Sequence, residues 1–321
     1  MFKPILSSIA ACALMTIGLT APAHALSARA WVSGHGTDAT GCGGVTNPCR
    51  SFQFVLNSII APGGEIDVLD PAGYGSMTIN FAINIINNGV GTVGVIAPSG
   101  GNAVTINAGP SDGINLEGLV IEGQGAGLNG VQFNSGGSLG LGGTQIFGFT
   151  NAGVNFTPNN GSGAAASLVM SGGGAWSNNA DDVLIMPQGG TQVRATLKEG
   201  CDISGSPVGV SSDGSASAVG LVHTTITDCV IHNITGSAVL ANGPSSGGGV
   251  HVMVERDDIS HTGTGLNAAG ANAYLAVSGS TIAHSTSPTV TSSSGSLISF
   301  GNNSVFFVTN PASFTSTQPL Q

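Results

Sequence analysis

The feature that most constrains this chain is a repeat. An apolar residue is followed, 7 to 10 residues on, by the second member of a Gly-Val-like pair. Ile121 leads to Gly130-Val131, Ile146 to Gly153-Val154, Trp176 to Asp182-Val183 and Ile203 to Gly209-Val210. Ile231 leads to Ala238-Val239, Ile259 to Gly265-Leu266 and Ile282 to Thr289-Val290. The pairs recur every 23 to 29 residues. Units also open on alternating stretches: Val250, Val252 and Val254 alternate with His251, Met253 and Glu255, and Ala273, Leu275 and Val277 do so around Tyr274. Alternation buries one face of a strand and leaves the other outside. A unit of this size holds about three short strands and cannot bury its own apolar face, so units must stack. Parallel crossovers are overwhelmingly right-handed. The repeat therefore predicts an all-β fold, a single-stranded right-handed parallel β-helix with coils ~4.8 Å apart.

Composition agrees. With 52 Gly the chain suits turns rather than helices, and 41% apolar with only 7% charged residues is not the balance of a disordered chain. A formal charge of −10 with six Lys and Arg argues against nucleic acid and anionic membranes, which call for basic patches. Lys3, the apolar run Ile5 to Leu19 and Ala23-His24-Ala25 read as a signal peptide over residues 1–25, which also removes Cys12. The expected product is secreted or periplasmic, with no later run long enough for membrane insertion. Residues 26–310 form the β-helix domain and residues 311–321 a polar, irregular tail. Phe52, Val55, Leu56, Ile59 and Ile60 recur at helical spacing before Pro62-Gly63-Gly64. They predict an N-terminal amphipathic capping helix across the first coil.

Cys42 and Cys49 flank a Gly-rich turn and are expected to form a short-loop disulfide in an oxidising compartment. Cys201 and Cys229 each precede an anchor isoleucine by two residues, which places them on adjacent coils. There a disulfide and a pair of stacked free thiols both remain open.

The stretches NPCRSFQFVLNSI and GGEIDVLDPAGYG, followed by Thr78-Ile79, resemble the start of bacterial secreted right-handed β-helix proteins of the pectate-lyase-like superfamily. SFGNN at Ser299 to Asn303 resembles their closing coil. The resemblance covers nearly all of the mature chain and implies the fold. It implies little about activity, because the fold hosts lyases, hydrolases, adhesins and phage proteins. Lyases of the superfamily act on the outward face of one sheet, with acidic residues that hold calcium and a basic residue that removes a proton. No motif here matches those residues one by one.

Equivalent positions on successive coils form columns. Leu197, Ile226 and Val254 align inward if Gly200 is one extra residue in a bulge. Arg194, His223, His251 and Tyr274 then stack outward, as do Lys198, Thr227 and Glu255, and beside them Glu199, Asp228 and Arg256. Asp202, Asp257 and Asp258 end the same strands. This ridge gathers the scarce charges and has three readings. It could be catalytic, with His223 or His251 as a general base near neutrality and Arg256 or Arg194 on a sugar carboxylate. It could bind extracellular polysaccharide through Arg194, Tyr274, Asp228 and Glu255 without chemistry. It could be structural, since exposed opposite charges pair with little energy. Asn178, Asn233, His261 and His284 occupy equivalent turn positions and read as a corner ladder rather than a metal site. Asp181-Asp182 and Asp257-Asp258 could touch calcium, but two adjacent carboxylates do not supply six or more oxygens, and no cofactor is expected.

Overall fold

A computed structural model describes residues 26–217 and 219–318. The signal peptide expected over residues 1–25 lies outside the described residues. The chain is a parallel β-solenoid, and every strand pairing between its named elements is parallel. One 12-stranded sheet begins with Ser27–Val32 and Ile60–Val68 and closes with Ser296–Ser299 and Ser316–Thr317. A 15-stranded sheet supplies the other two walls. Four long strands, Leu119–Ser135, Gln145–Phe156, Val230–Asn242 and Asp258–Ala269, run through both of those walls.

The inward columns are those the repeat implies. Ile121, Ile146, Trp176, Ile203, Ile231, Ile259 and Ile282 stack in register with no solvent exposure. Val131, Val154, Val183, Val210, Val239 and Leu266 form a second dry column. In the last unit the partner of Leu266 is Thr289, not Val290. Thr289 is buried and Val290 is not, so that anchor shifts by one residue.

Two of the corners carry ladders of left-handed residues. After the first sheet these are Glu199, Asp228 and Arg256 (φ 64°, 57° and 58°), followed by Gly279 and Gly301. Between the other two walls they are Asn178, Asn233, His261 and His284. A side chain in this region is uncommon outside Gly and the Asn, Asp and His group, so both ladders are corners rather than strand faces. Gly200 is the extra residue of its coil, at φ 81°.

In the later coils an inward residue just after the corner caps the coil before it. The Cys229 N–H donates to Asp257 Oδ1 at 2.8 Å, the Asp257 N–H to Ser280 Oγ at 3.1 Å, and the Ser280 N–H to Asn303 Oδ1 at 3.0 Å. Asp257 is therefore buried and does not share the outer face with Asp258. Cys201 and Cys229 lie in the same column, 4.7 Å apart at Cα, and are joined as a disulfide, as are Cys42 and Cys49. Of the two open readings for the coil-to-coil pair, the structure takes the bonded one.

Helix α1 spans Phe52–Ser58, capped by Ser51, whose Oγ accepts from the Phe54 N–H. It buries Phe52, Val55 and Leu56. It is shorter than its apolar spacing suggests: Ile60 already opens the strand Ile60–Val68, which contains Pro62-Gly63-Gly64. That strand shifts register against Ser27–Val32 between its pairs at Ile60 and Glu65, and the shift absorbs the proline that would otherwise break the ladder. The helix guards an edge with a side-chain amide. Gln53 Oε1 accepts from the Thr78 N–H at 2.7 Å, where Met77–Ile79 has no strand neighbour on that side among the described residues. At the other end, the stretch after Pro311 is not loose. Ser316–Thr317 adds a parallel pair to Ile298 and Ser299, and the Thr315 N–H donates to the Leu297 carbonyl at 2.8 Å.

Candidate functional site

The first sheet turns one outward column toward solvent along most of its length. Read coil by coil, the in-register residues are Gly113, Ser138, Ser167, Arg194, His223, His251, Tyr274 and Ser296. Side chains are absent or small for three coils and large for the next four. That step in size makes a hollow. A cavity of ≈ 250 Å³ is lined by Ala165, Ser167, Gln192, Arg194, Leu221 and His223. A second, of ≈ 300 Å³, lies over Asn84, Asn115, Ser138, Gly140 and Val169 on the same sheet. Both are present because Ser138, Gly140 and Ser167 leave the outer face low. A further cavity, ≈ 490 Å³, lies elsewhere, between α1 and the first strand at Leu26, Thr40, Cys42, Phe54 and Ile59. No ionisable side chain lines it, and the chemistry points to the hollow beside the ridge instead.

The wall of that hollow is a ladder of rings. His223 and His251 meet edge to face with centroids 5.0 Å apart, and His251 meets Tyr274 the same way at 5.1 Å. Partial burial, reinforced by His251 and then Arg194, pushes the His223 pKa below its ordinary value. The shift favours the neutral ring. Of the ridge side chains, Arg194 and His223 come together in the cavity, whereas His251 and Tyr274 continue the wall beyond it. No carboxylate lines the same space.

Arg256 sits apart, on the corner. Its Nε and Nη2 each donate to Asp228 at 3.0 Å, Nη2 also donates to Thr227 Oγ1 at 2.9 Å, and Nη1 donates to Glu255. Asp228 is held below the usual carboxylate range first by these hydrogen bonds. Lys198 pairs with Glu199 at 2.7 Å. Arg29 pairs with Glu65 and Asp67, and Arg50 donates to the Gly73 carbonyl and lies over the Tyr74 ring. Among the described residues, Arg194 is the one Lys or Arg with neither an ion pair nor a hydrogen bond.

Asp202 and Asp258 depart from their sequence placement, since each opens a strand of the second sheet. Asp202 is exposed and pairs with His232 Nε2 at 3.0 Å on the second sheet. Asp182 is fully buried; its Oδ1 accepts from Ser206 Oγ at 2.6 Å and Asn179 Nδ2 at 2.8 Å, while Oδ2 has no partner. Burial pushes its pKa up to about 8. Asp181 is only partly buried, so the adjacent carboxylates face different surroundings. The one cluster with ligand spacing among the described residues, Asp38 with Cys42 and Cys49, has both sulfurs bonded to each other. His261 and His284 stack at 4.8 Å on their corner without a carboxylate or thiol completing a metal set.

The small outward residues were the missed signal. SLGLG at Ser138 to Gly142 alternates as strictly as the valines do, with Leu139 and Leu141 buried and Ser138, Gly140 and Gly142 outside. Comparison with protein-family models, with curated proteins and with solved structures finds no match to this chain.

Proposed function

We propose that the outer face of the first sheet binds an extracellular polysaccharide without transforming it, and that an anionic substituent of the polymer seats against Arg194. The observation that carries this reading is Arg194 itself, exposed beside a cavity and unpaired in a chain whose other described Lys and Arg are all engaged. A guanidinium without a partner is suited to a carboxylate or sulfate arriving from outside. The low floor at Ser167, Ser138 and Gly140 admits a chain, and the His223, His251 and Tyr274 wall gives it ring edges and hydrogen-bonding groups. Asp228 and Glu255 are taken up by Arg256, so they belong to the corner and not to the binding surface.

Membership of the pectate-lyase-like superfamily and export through the signal peptide are part of the same proposal. Two disulfides support a non-cytosolic setting. A lyase or hydrolase reading is weaker, because His223 has no carboxylate with which to share the cavity and Arg256 is committed to its neighbours.

Retention on immobilised pectate, alginate and a neutral glucan tests the proposal. The expected result is salt-sensitive retention on an acidic polymer, falling by at least ~10-fold in Arg194→Ala and by less in Tyr274→Ala. Retention that is absent on every polymer, or indifferent to Arg194→Ala, refutes it. Release of unsaturated product from pectate or alginate, with or without calcium, would replace binding by catalysis.

A further inference from the structure

The last described coil carries features that do not suit a free surface. Phe307 is 74% exposed and Phe306 44% exposed, and their rings meet edge to face at 5.3 Å. Phe307 occupies a left-handed corner, φ 52°, in the column that holds Asn178, Asn233, His261 and His284 on earlier coils. Those residue types tolerate the region; a bulky aromatic there is an outlier. Its ring continues the corner stack, 5.1 Å from His284, which lies 4.8 Å from His261. The strand Ser304–Phe306 pairs with Thr281–Ala283 on one side and with no strand on the other among the described residues.

Charge completes the picture. No Asp, Glu, Lys or Arg follows Asp258 in the given sequence, so every such charged side chain lies at or before Asp258. Strand edges are commonly guarded by charged side chains, and this one has none. Two copies of so acidic a chain repel each other most where those charges face and least at this neutral end.

We propose that this end is a self-association face, on which a second copy of the chain seats tail to tail. Phe306 and Phe307 of one copy pack against the same pair of the other, and the two free edges at Ser304–Phe306 face across the two-fold axis. The face is self-complementary: a neutral aromatic pair beside an unpaired edge is matched by its own equivalent. The absence of formal charge favours an identical neutral face over an acidic or basic partner.

Sedimentation equilibrium of the full chain across the micromolar range tests this. The expected result is a reversible monomer–dimer equilibrium. Phe307→Gly should weaken it by at least ~10-fold. Because glycine adopts the left-handed corner without strain, that variant should melt no lower than the parent. Phe306→Ser should also weaken the dimer, whereas Tyr274→Ser, on the outer face of the first sheet, should leave it intact. A parent chain that is monomeric at every concentration overturns the proposal, and so does a dimer that survives both Phe variants. If the parent is monomeric but its retention on a neutral glucan depends on Phe307, the face is a sugar platform and the self-association reading fails.

Discussion

Replacing Asp182 by Asn should stabilise the protein near neutrality and flatten its dependence on pH. In the folded chain burial raises the Asp182 pKa from 3.8 to about 8. Between those values the folded protein keeps a proton that the unfolded chain has lost. Stability then falls as pH rises, by about 1.4 kcal/mol per pH unit. From 3.8 to pH 7 is 3.2 units, which makes the cost about 4 kcal/mol at neutrality. That is a ceiling, because relaxation and water entry lower the effective penalty of a buried charge. Asparagine is neutral in both states and removes the slope, while its carbonyl oxygen can still accept from Ser206 and Asn179. Asp257, raised to about 7 by burial, adds a second slope of the same sign that ends one unit earlier. Thermal unfolding followed by circular dichroism at intervals from pH 5 to pH 8 distinguishes the two. The parent should lose stability across the whole range, and Asp182→Asn should lose it less steeply and level off near pH 7. A melting temperature that rises with pH over this range, or a slope unchanged in Asp182→Asn, would refute the argument.

The remaining predictions concern the core and the cysteines. Val254→Asp places a carboxylate in the dry column of Leu197, Ile226 and Val277 and should cost more than ~4 kcal/mol, enough to abolish the cooperative melt; a folded variant would mean that the inward register is misread. Peptide mapping without reductant should find Cys42 joined to Cys49 and Cys201 to Cys229, and Cys201→Ser with Cys229→Ser should lower stability by about 2–4 kcal/mol; a free thiol at either position in oxidised protein contradicts the coil-to-coil bond.

Why the fold was so legible and the site so much less is a matter of which residues report on position. Each inward residue is constrained by the coils above and below it, so Ile203, Ile231 and Ile259 announce the period by being apolar at a fixed spacing. The outward columns follow from the same alternation, and Arg194, His223, His251 and Tyr274 do stack as the spacing requires. What alternation cannot carry is the conformation at a corner. Glu199, Asp228 and Arg256 have the right neighbours, but they stand in left-handed turns, where Asp228 and Arg256 satisfy each other and Glu199 pairs with Lys198. The inward turn that follows was hidden for the same reason: Asp257 looks like its exposed neighbour Asp258 until the backbone N–H groups of Cys229 and Glu255 are seen to need an acceptor.

The groove is harder still to read, because it consists of side chains that are missing. A residue such as His223 attracts notice by its chemistry, whereas Ser138, Gly140 and Ser167 resemble the turns that fill so much of this glycine-rich chain. Only their in-register pairing with Arg194 and Val169 shows that the outer face steps down beside the ridge. In a solenoid the inner columns must stay full, so shape on the surface is made by removing atoms outside. An outward run of small residues next to an unpaired cation is therefore the pattern to seek in such chains, more than the charged cluster, whose members here largely neutralise each other.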